Sequence, residues 1–257
     1  MIRTCRFIPA FASVALAALL IHFAVPSALA ASGTWTNNAD GNWSATANWS
    51  GGTVADGDGF TADFSTINLT ADRTVTLDTP RTISGLIFGD TTPDFNWTLS
   101  GPNTLTLGTS PTITVNNGTA TISTLIASGT NAFTKSGSGT LVLAGTSANT
   151  QSSGNNQINA GELDLNKTAG VNAIASSVTV NNAGTRLKLL AANQIDNSSD
   201  VTVNSADDRA LLSRFKLFGP PGIIFFDAQG HELTGARVVG YQKPAEFLSS
   251  VQFALRR

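Results

Sequence analysis

Cysteine is nearly absent from this sequence: one residue in 257, Cys5. A single thiol closes no disulfide within the chain, so the fold has to be held together without covalent staples. Charge is scarce as well. Asp, Glu, Lys and Arg make up 12% of the residues, about half the roughly 25% of ordinary soluble domains. The formal net charge of −2 leaves no excess of Lys and Arg to neutralise phosphates, which excludes nucleic acid as a partner. Histidine falls to two residues, of which only His231 lies beyond residue 30. It stands in a turn with no Ser/Asp set around it that would make a triad, and it reads as a solvated side chain. In place of charge the chain is rich in Thr, Asn, Ser and Gly, a composition of short strands and turns rather than helices.

The N-terminus carries one long apolar run. Arg3 and Arg6 precede a mostly apolar stretch from Phe7 to Val25, and Ala28-Leu29-Ala30 supplies a small-residue cleavage pattern. This predicts a secretory signal peptide over 1–30, cut after Ala30. The run approaches the ~20 residues that cross a bilayer, so an uncleaved anchor is the alternative. No second apolar span follows. The expectation is an exported chain, in the periplasm, on the outer surface or outside the cell, touching membrane only through the signal segment. Cys5 lies inside that segment, and the exported part would then hold no thiol.

From Ser65 to Ser205 the text repeats. Alternating triplets recur as Leu105-Thr-Leu107, Ile113-Thr-Val115, Leu141-Val-Leu143, Leu163-Asp-Leu165 and Leu187-Lys-Leu189. Alternation sends the outer members of each triplet to one face and the middle one to the other. Strands this short hold no sheet alone. The spacing supplies the rest: "SSVTVN" at Ser176 is echoed by "SSDVTVN" at Ser198, and "GTLVL" at Gly139 by "GELDL" at Gly161. Self-similarity at 20–25 residues predicts a stacked parallel β-solenoid of roughly six coils, each burying its apolar face against its neighbours. Asn is expected at the corners, where it tolerates the left-handed conformation. A β-sandwich is the runner-up.

These residues, "SGSGTLVLAGTSANT" to "AIASSVTVNNAGTRLKLLAANQI" (136–195), resemble the autotransporter-associated β-strand repeat of secreted Gram-negative proteins. The opening 31–64, with Trp35, Trp43 and Trp49 in Asn/Gly-rich turns, is similar to the N-terminal segment of such chains. The resemblance implies a right-handed β-helix passenger with a surface, adhesive or structural role, whose partner is a cell-surface or extracellular polymer. No cofactor is expected. Neither a run of barrel strands nor an apolar sorting helix follows the repeats, which departs from the family's export route. Three local features carry chemically suggestive residues. Asp56, Asp58 and Asp63 could gather oxygen ligands for Ca²⁺, but without the full Ca²⁺ loop they read better as a polar turn. Glu162 and Asp164 share a strand face and could form a sugar-cleaving carboxylate pair, or lie solvated. The three Trp rings could stack on sugars, or cap the open end of the coil stack.

Past residue 205 the chemistry changes. Residues 31–205 hold six basic and twelve acidic residues, a net of −6, whereas 206–257 hold seven and five, a net of +2. Leu211, Leu212, Phe215 and Phe218 have helical spacing; Ile223–Phe226 and Arg237–Val239 read as strands around an Asp227–Gly230 turn; Phe247, Leu248, Val251 and Leu255 mark a closing amphipathic helix. The order, together with "FGPPGIIFFDAQG" and "ARVVGY", resembles the second half of the periplasmic thioredoxin-like domain of thiol:disulfide interchange proteins. By that resemblance Pro221 occupies the cis-proline position. The family's Cys-x-x-Cys is missing upstream, where repeat text stands instead. The expected fold is therefore mainly β, a solenoid with a small α/β half-thioredoxin tail, and the expected chain is no enzyme. Thiol:disulfide interchange and a carbohydrate-active β-helix are the alternatives.

Overall fold

The computed structural model describes residues 30–151, 153–204, 213, 222–227, 229–239 and 242–255. All but Ala30 of the predicted signal segment 1–30, all but Ser213 of the helix expected near 207–218, and Pro221 lie outside these residues.

Seventeen short strands wind from Gly33 to Asn204. In chain order they are β1 (Gly33–Thr34), β2 (Gly41–Asn42), β3 (Gly57–Phe64), β4 (Arg73–Thr76), β5 (Arg81–Phe88), β6 (Trp97–Ser100) and β7 (Thr104–Val115). Then come β8 (Thr119–Ile122), β9 (Leu125–Gly129), β10 (Thr134–Ser136), β11 (Thr140–Gly145) and β12 (Thr150–Gln151). The winding closes with β13 (Asn155–Ile158), β14 (Glu162–Lys167), β15 (Ser177–Asn181), β16 (Arg186–Leu189) and β17 (Val201–Asn204). The strands fall into two parallel sheets and alternate between them, except that β9 and β10, and β12 and β13, stand consecutively in the first. The first follows the order β1-β3-β5-β7-β10-β13-β15-β17, with β9 and β12 beside this path; the second runs β16-β14-β11-β8-β6-β4-β2. This is a parallel β-solenoid of about six turns, not a sandwich, because every ladder within it is parallel.

The register is the one the echoes predict. Val178 pairs with Val201, and Leu141 with Leu163. Inward side chains stack into columns, one being Val75, Leu99, Ile122, Leu143, Leu165 and Leu189. All but the last are buried, and each full burial of such a side chain contributes about 1.5–3 kcal/mol. Strand β7 carries two of the predicted triplets on one strand. It bends between them at Thr109-Ser110, where Ser110 has φ 47, and pairs with β5 on both sides of the shift.

The N-terminal end is shut by aromatic rings. Phe64 lies 5.4–5.7 Å from Trp35, Trp43, Trp49 and Trp97 and stacks on Phe88 at 5.2 Å. Each indole N–H finds a carbonyl: Asn37, Ala55, Trp43 and Gly89 accept from Trp35, Trp43, Trp49 and Trp97 at 2.7–2.9 Å. The polar atom of every ring is thereby satisfied, so the rings are buried at no unpaired cost.

In the tail, β18 (Gly222–Ile223) pairs antiparallel with β19 (Val238–Val239), and one helix follows, α1 (Pro244–Ala254). The predicted strand Ile223–Phe226 is shorter than expected: past Ile223 only an isolated bridge from Phe226 to Glu232 continues it. The Asp227–Gly230 turn forms as predicted, with the Gly230 N–H donating to the Asp227 carbonyl at 3.0 Å and Gly230 at φ 84. Pro244 stands at the first turn of α1, where its missing N–H costs nothing.

Candidate functional site

The outward face of the second sheet is the most regular surface of the solenoid. Thr74, Thr98 and Thr121 sit on successive rungs of β4, β6 and β8. Thr119 and Thr140 form a second column beside them. Rungs repeat at ~4.8 Å, so the hydroxyls make a grid rather than a cluster. All five threonines are half-buried. Among the described residues no hydrogen bond engages the hydroxyls of Thr74, Thr98, Thr121 and Thr140, and they are left for water or a ligand. β-branched residues pack well on such a pleated surface, which is why the sequence can afford Thr there.

The same columns change character toward the C-terminal end. The Thr140 column continues through Glu162 to Arg186, and the Thr121 column through Val142 and Asp164 to Lys188. Glu162 takes both cations, Lys188 at 2.5 Å and Arg186 at 3.7 Å. The hydrogen bond from Lys188 holds the Glu162 carboxyl below its ordinary range. Asp164 behaves oppositely: burial first, and then the Glu162 charge, push its carboxyl up. Its Oδ1 is buried without a hydrogen-bond partner. A sugar-cleaving pair needs two carboxyls flanking an accessible bond. Here one carboxyl is spent on two ion pairs and the other is 9% exposed, so the arrangement ties neighbouring coils together.

The three candidate Ca²⁺ aspartates are each engaged elsewhere. Asp56 accepts from the Arg81 guanidinium at 2.8 Å and from the Thr82 N–H at 3.1 Å. Asp58 accepts from Thr109 N–H at 2.6 Å, Thr109 Oγ1 at 2.8 Å and Ser84 Oγ at 2.8 Å. The Thr109 amide leads the hydrogen bonds that lower the Asp58 carboxyl. Asp63 accepts from the Ser65 N–H and hydroxyl at 2.9 and 2.7 Å. Among the described residues no group of three or more His, Cys, Asp or Glu is placed to hold a metal ion. The Trp rings that could have met sugars are interior: Trp35 and Trp43 are 0% exposed and Trp49 3%. His231 is exposed, as expected of a turn residue, but it is not alone: its Nδ1 lies 3.2 Å from Asp227 Oδ2.

Two features escape a sequence reading. Lys135 and Lys167 point inward and are 0% and 1% exposed. Lys135 replaces an apolar rung in the column Ala62, Leu86, Ile113, Lys135, Ile158, Val180. Its ammonium donates to the carbonyls of Ser136, Gly137 and Ala160 at 2.8–3.0 Å. Lys167 donates to the Ala144 carbonyl at 2.7 Å. Burial pushes both amines down to about 8. The second feature is a set of buried amides that hydrogen-bond from coil to coil. Asn149 accepts from the Ile126 N–H at 3.0 Å and donates to the Ala173 carbonyl at 2.9 Å, bridging three coils. Asn156, 0% exposed, accepts from the Phe133 N–H at 3.0 Å and donates to Gln151, Ser176 and Ser177 at 2.9–3.2 Å. The only signal in the sequence is a Lys or Asn at an inward place of a triplet echo.

Among the described residues no helix is long and apolar enough to cross a membrane. No protein-family model matches the chain, and no solved structure does. Part of the chain is similar to the thiol:disulfide interchange protein DsbD of Ralstonia nicotianae, 50% identical over 70 residues, which is 27% of this chain and 11% of that protein. The same protein of Yersinia pestis is 46% identical over 61 residues (24% and 10%), and that of Tatumella citrea 44% over 54 residues (21% and 9%). The chain thus spans about a tenth of the length of the curated relatives it matches.

Proposed function

We propose that the chain is an exported, non-enzymatic β-solenoid of the autotransporter passenger type, which works by surface contact, in adhesion or structure. The observation that carries this reading is the threonine grid of β4, β6, β8 and β11, with hydroxyls free of internal partners. Rows of uncharged donors and acceptors at the rung spacing suit a neutral polysaccharide better than a charged partner, since they offer hydrogen bonds without a counter-ion. The test is retention of the purified full chain on an insoluble neutral polysaccharide. Retention is expected to survive high salt, because no ion pair carries it; elution by salt alone contradicts the reading.

A second reading is thiol:disulfide interchange, favoured by the 50% identity with a protein of that name. We assign the resemblance to a tail that keeps part of a thioredoxin-like fold and none of its chemistry. Exchange needs an attacking thiolate and a second thiol to resolve the mixed disulfide, and the chain has Cys5 alone. The expected result is no reduction of insulin above background by the purified protein with a thiol reductant; measurable turnover would establish the second reading instead.

A further inference from the structure

The solenoid has one closed end and one open end. At the N-terminal end the Trp and Phe rings fill the bore. At the other end the same interior columns surface. Leu189, Val201 and Val203 are 54%, 50% and 59% exposed, although Leu189 stands on buried Leu165 and Val203 on Val180. Together with Val180 and Leu187, and with Arg186 and Lys188 at the edge, they line a mainly apolar opening of about 390 Å³. An uncovered coil end of this kind is what terminal caps of repeat proteins exist to hide.

Among the described residues a second apolar surface stands exposed. On α1 Leu248 is 55% exposed, and Leu255, the residue that ends the helix, is 81% exposed. They lie two turns apart with Val251 between them, one stripe of the helix. Elsewhere on the same helix Phe253 lies against Gly235, in the turn before β19, so the stripe is turned away from the rest of the tail. Connectivity favours the meeting. The chain leaves the solenoid at Asn204, on the open end itself, and residues 205–221 can span up to ~55 Å when extended.

We infer that the Leu248–Leu255 stripe of α1 caps the apolar opening formed by Leu189, Val201 and Val203 of the same molecule. The tail then serves the solenoid as a stopper, and a remnant of an unrelated fold is retained for its apolar helix face. This does not depend on what the threonine grid binds.

The test is proximity in the full chain. Leu189→Cys and Leu248→Cys are introduced together with Cys5→Ser, and the protein is treated with a short bis-maleimide. A cross-link within one molecule is expected, and adding Leu255→Glu should lower its yield about tenfold. Thr98→Cys with Leu248→Cys reports background contact, since Thr98 faces outward from the middle of the second sheet. The inference is overturned if the first pair links no better than this control, or if links form only between molecules, which would give the opening to a second copy. Hydrogen exchange in unmodified protein gives an independent readout. The amides of Val201–Asn204 should exchange about tenfold more slowly than in Leu248→Glu/Leu255→Glu, while β11 and β14 exchange equally in both.

Discussion

Lys135 is the costliest residue to place inside this solenoid, and the turn beside it shows how the cost is contained. A bare ammonium in an apolar interior would lose its proton or unfold the coil. Three carbonyls converge on this one, at Ser136, Gly137 and Ala160, so the side chain closes a corner by reaching along the core. Both buried lysines are pushed down to about 8 from 10.5. Below pH 8 native and unfolded chains are both protonated and the burial penalty is constant. Between about 8 and 10.5 the unfolded chain binds protons that the native chain has released, and stability rises with pH. In urea unfolding at pH 7.5 and 9.5 the wild type should gain stability from this source, and Lys135→Met/Lys167→Met should lose that gain. The buried amides make a second prediction at this scale. Asn156→Ala strands the Phe133 N–H and the Ser177 carbonyl, and at roughly 1–3 kcal/mol for each unsatisfied group the loss should be about 3 kcal/mol by chemical denaturation. Neither residue type announces its role in the sequence. A Lys beside Thr and Ser reads as solvent-facing, and only the register shows that Lys135 continues Ile113 and Ile158.

The element that makes the winding possible is the tight corner between the two sheets. Gly137 has φ 77 and Gly161 φ 68, and a Cβ would come within 2.2 Å of the Val115 carbonyl at the first and 2.4 Å of the Gly139 carbonyl at the second. Coils approach too closely there for any side chain, so Gly161→Ala combines left-handed strain with a backbone clash. A loss above 1 kcal/mol is expected, read as a lower urea midpoint with unchanged slope. The aromatic plug is the other decisive element. Phe64 touches four Trp rings and Phe88, and Phe64→Ala should cost about 3–5 kcal/mol. The rungs were legible beforehand because a parallel stack with one interior repeats its inward residues at the coil length: Leu141-Val-Leu143 over Leu163-Asp-Leu165 gives both face and register. The plug was half legible. Three Trp in polar turns suggest a cap, but Trp97 and Phe64 join it from β6 and β3 across sequence distances that no local pattern marks. The Glu162/Asp164 pair was visible as two acids on one face; that Lys188 and Arg186 stand on the next rung is legible only once β16 is laid on β14.

At the scale of the whole molecule, the chain has two parts that differ in charge and architecture. The regularity of the solenoid's outward threonine columns argues for a partner that is itself regular. Part of the chain is similar to a redox protein of which this chain spans about a tenth, while Cys5 is the one thiol in 257 residues. The central claim is that the solenoid acts through its uncharged threonine face. The most direct measurement is the affinity of the full chain for insoluble neutral polysaccharide, compared with Thr98→Glu/Thr121→Glu, which places two carboxylates in the middle of the grid and leaves every inward residue in place. The claim predicts saturable binding by the wild type and at least a tenfold loss in the variant, about 1.4 kcal/mol, with unfolding midpoints nearly alike. Equal binding by both proteins, or none by the wild type, would contradict it.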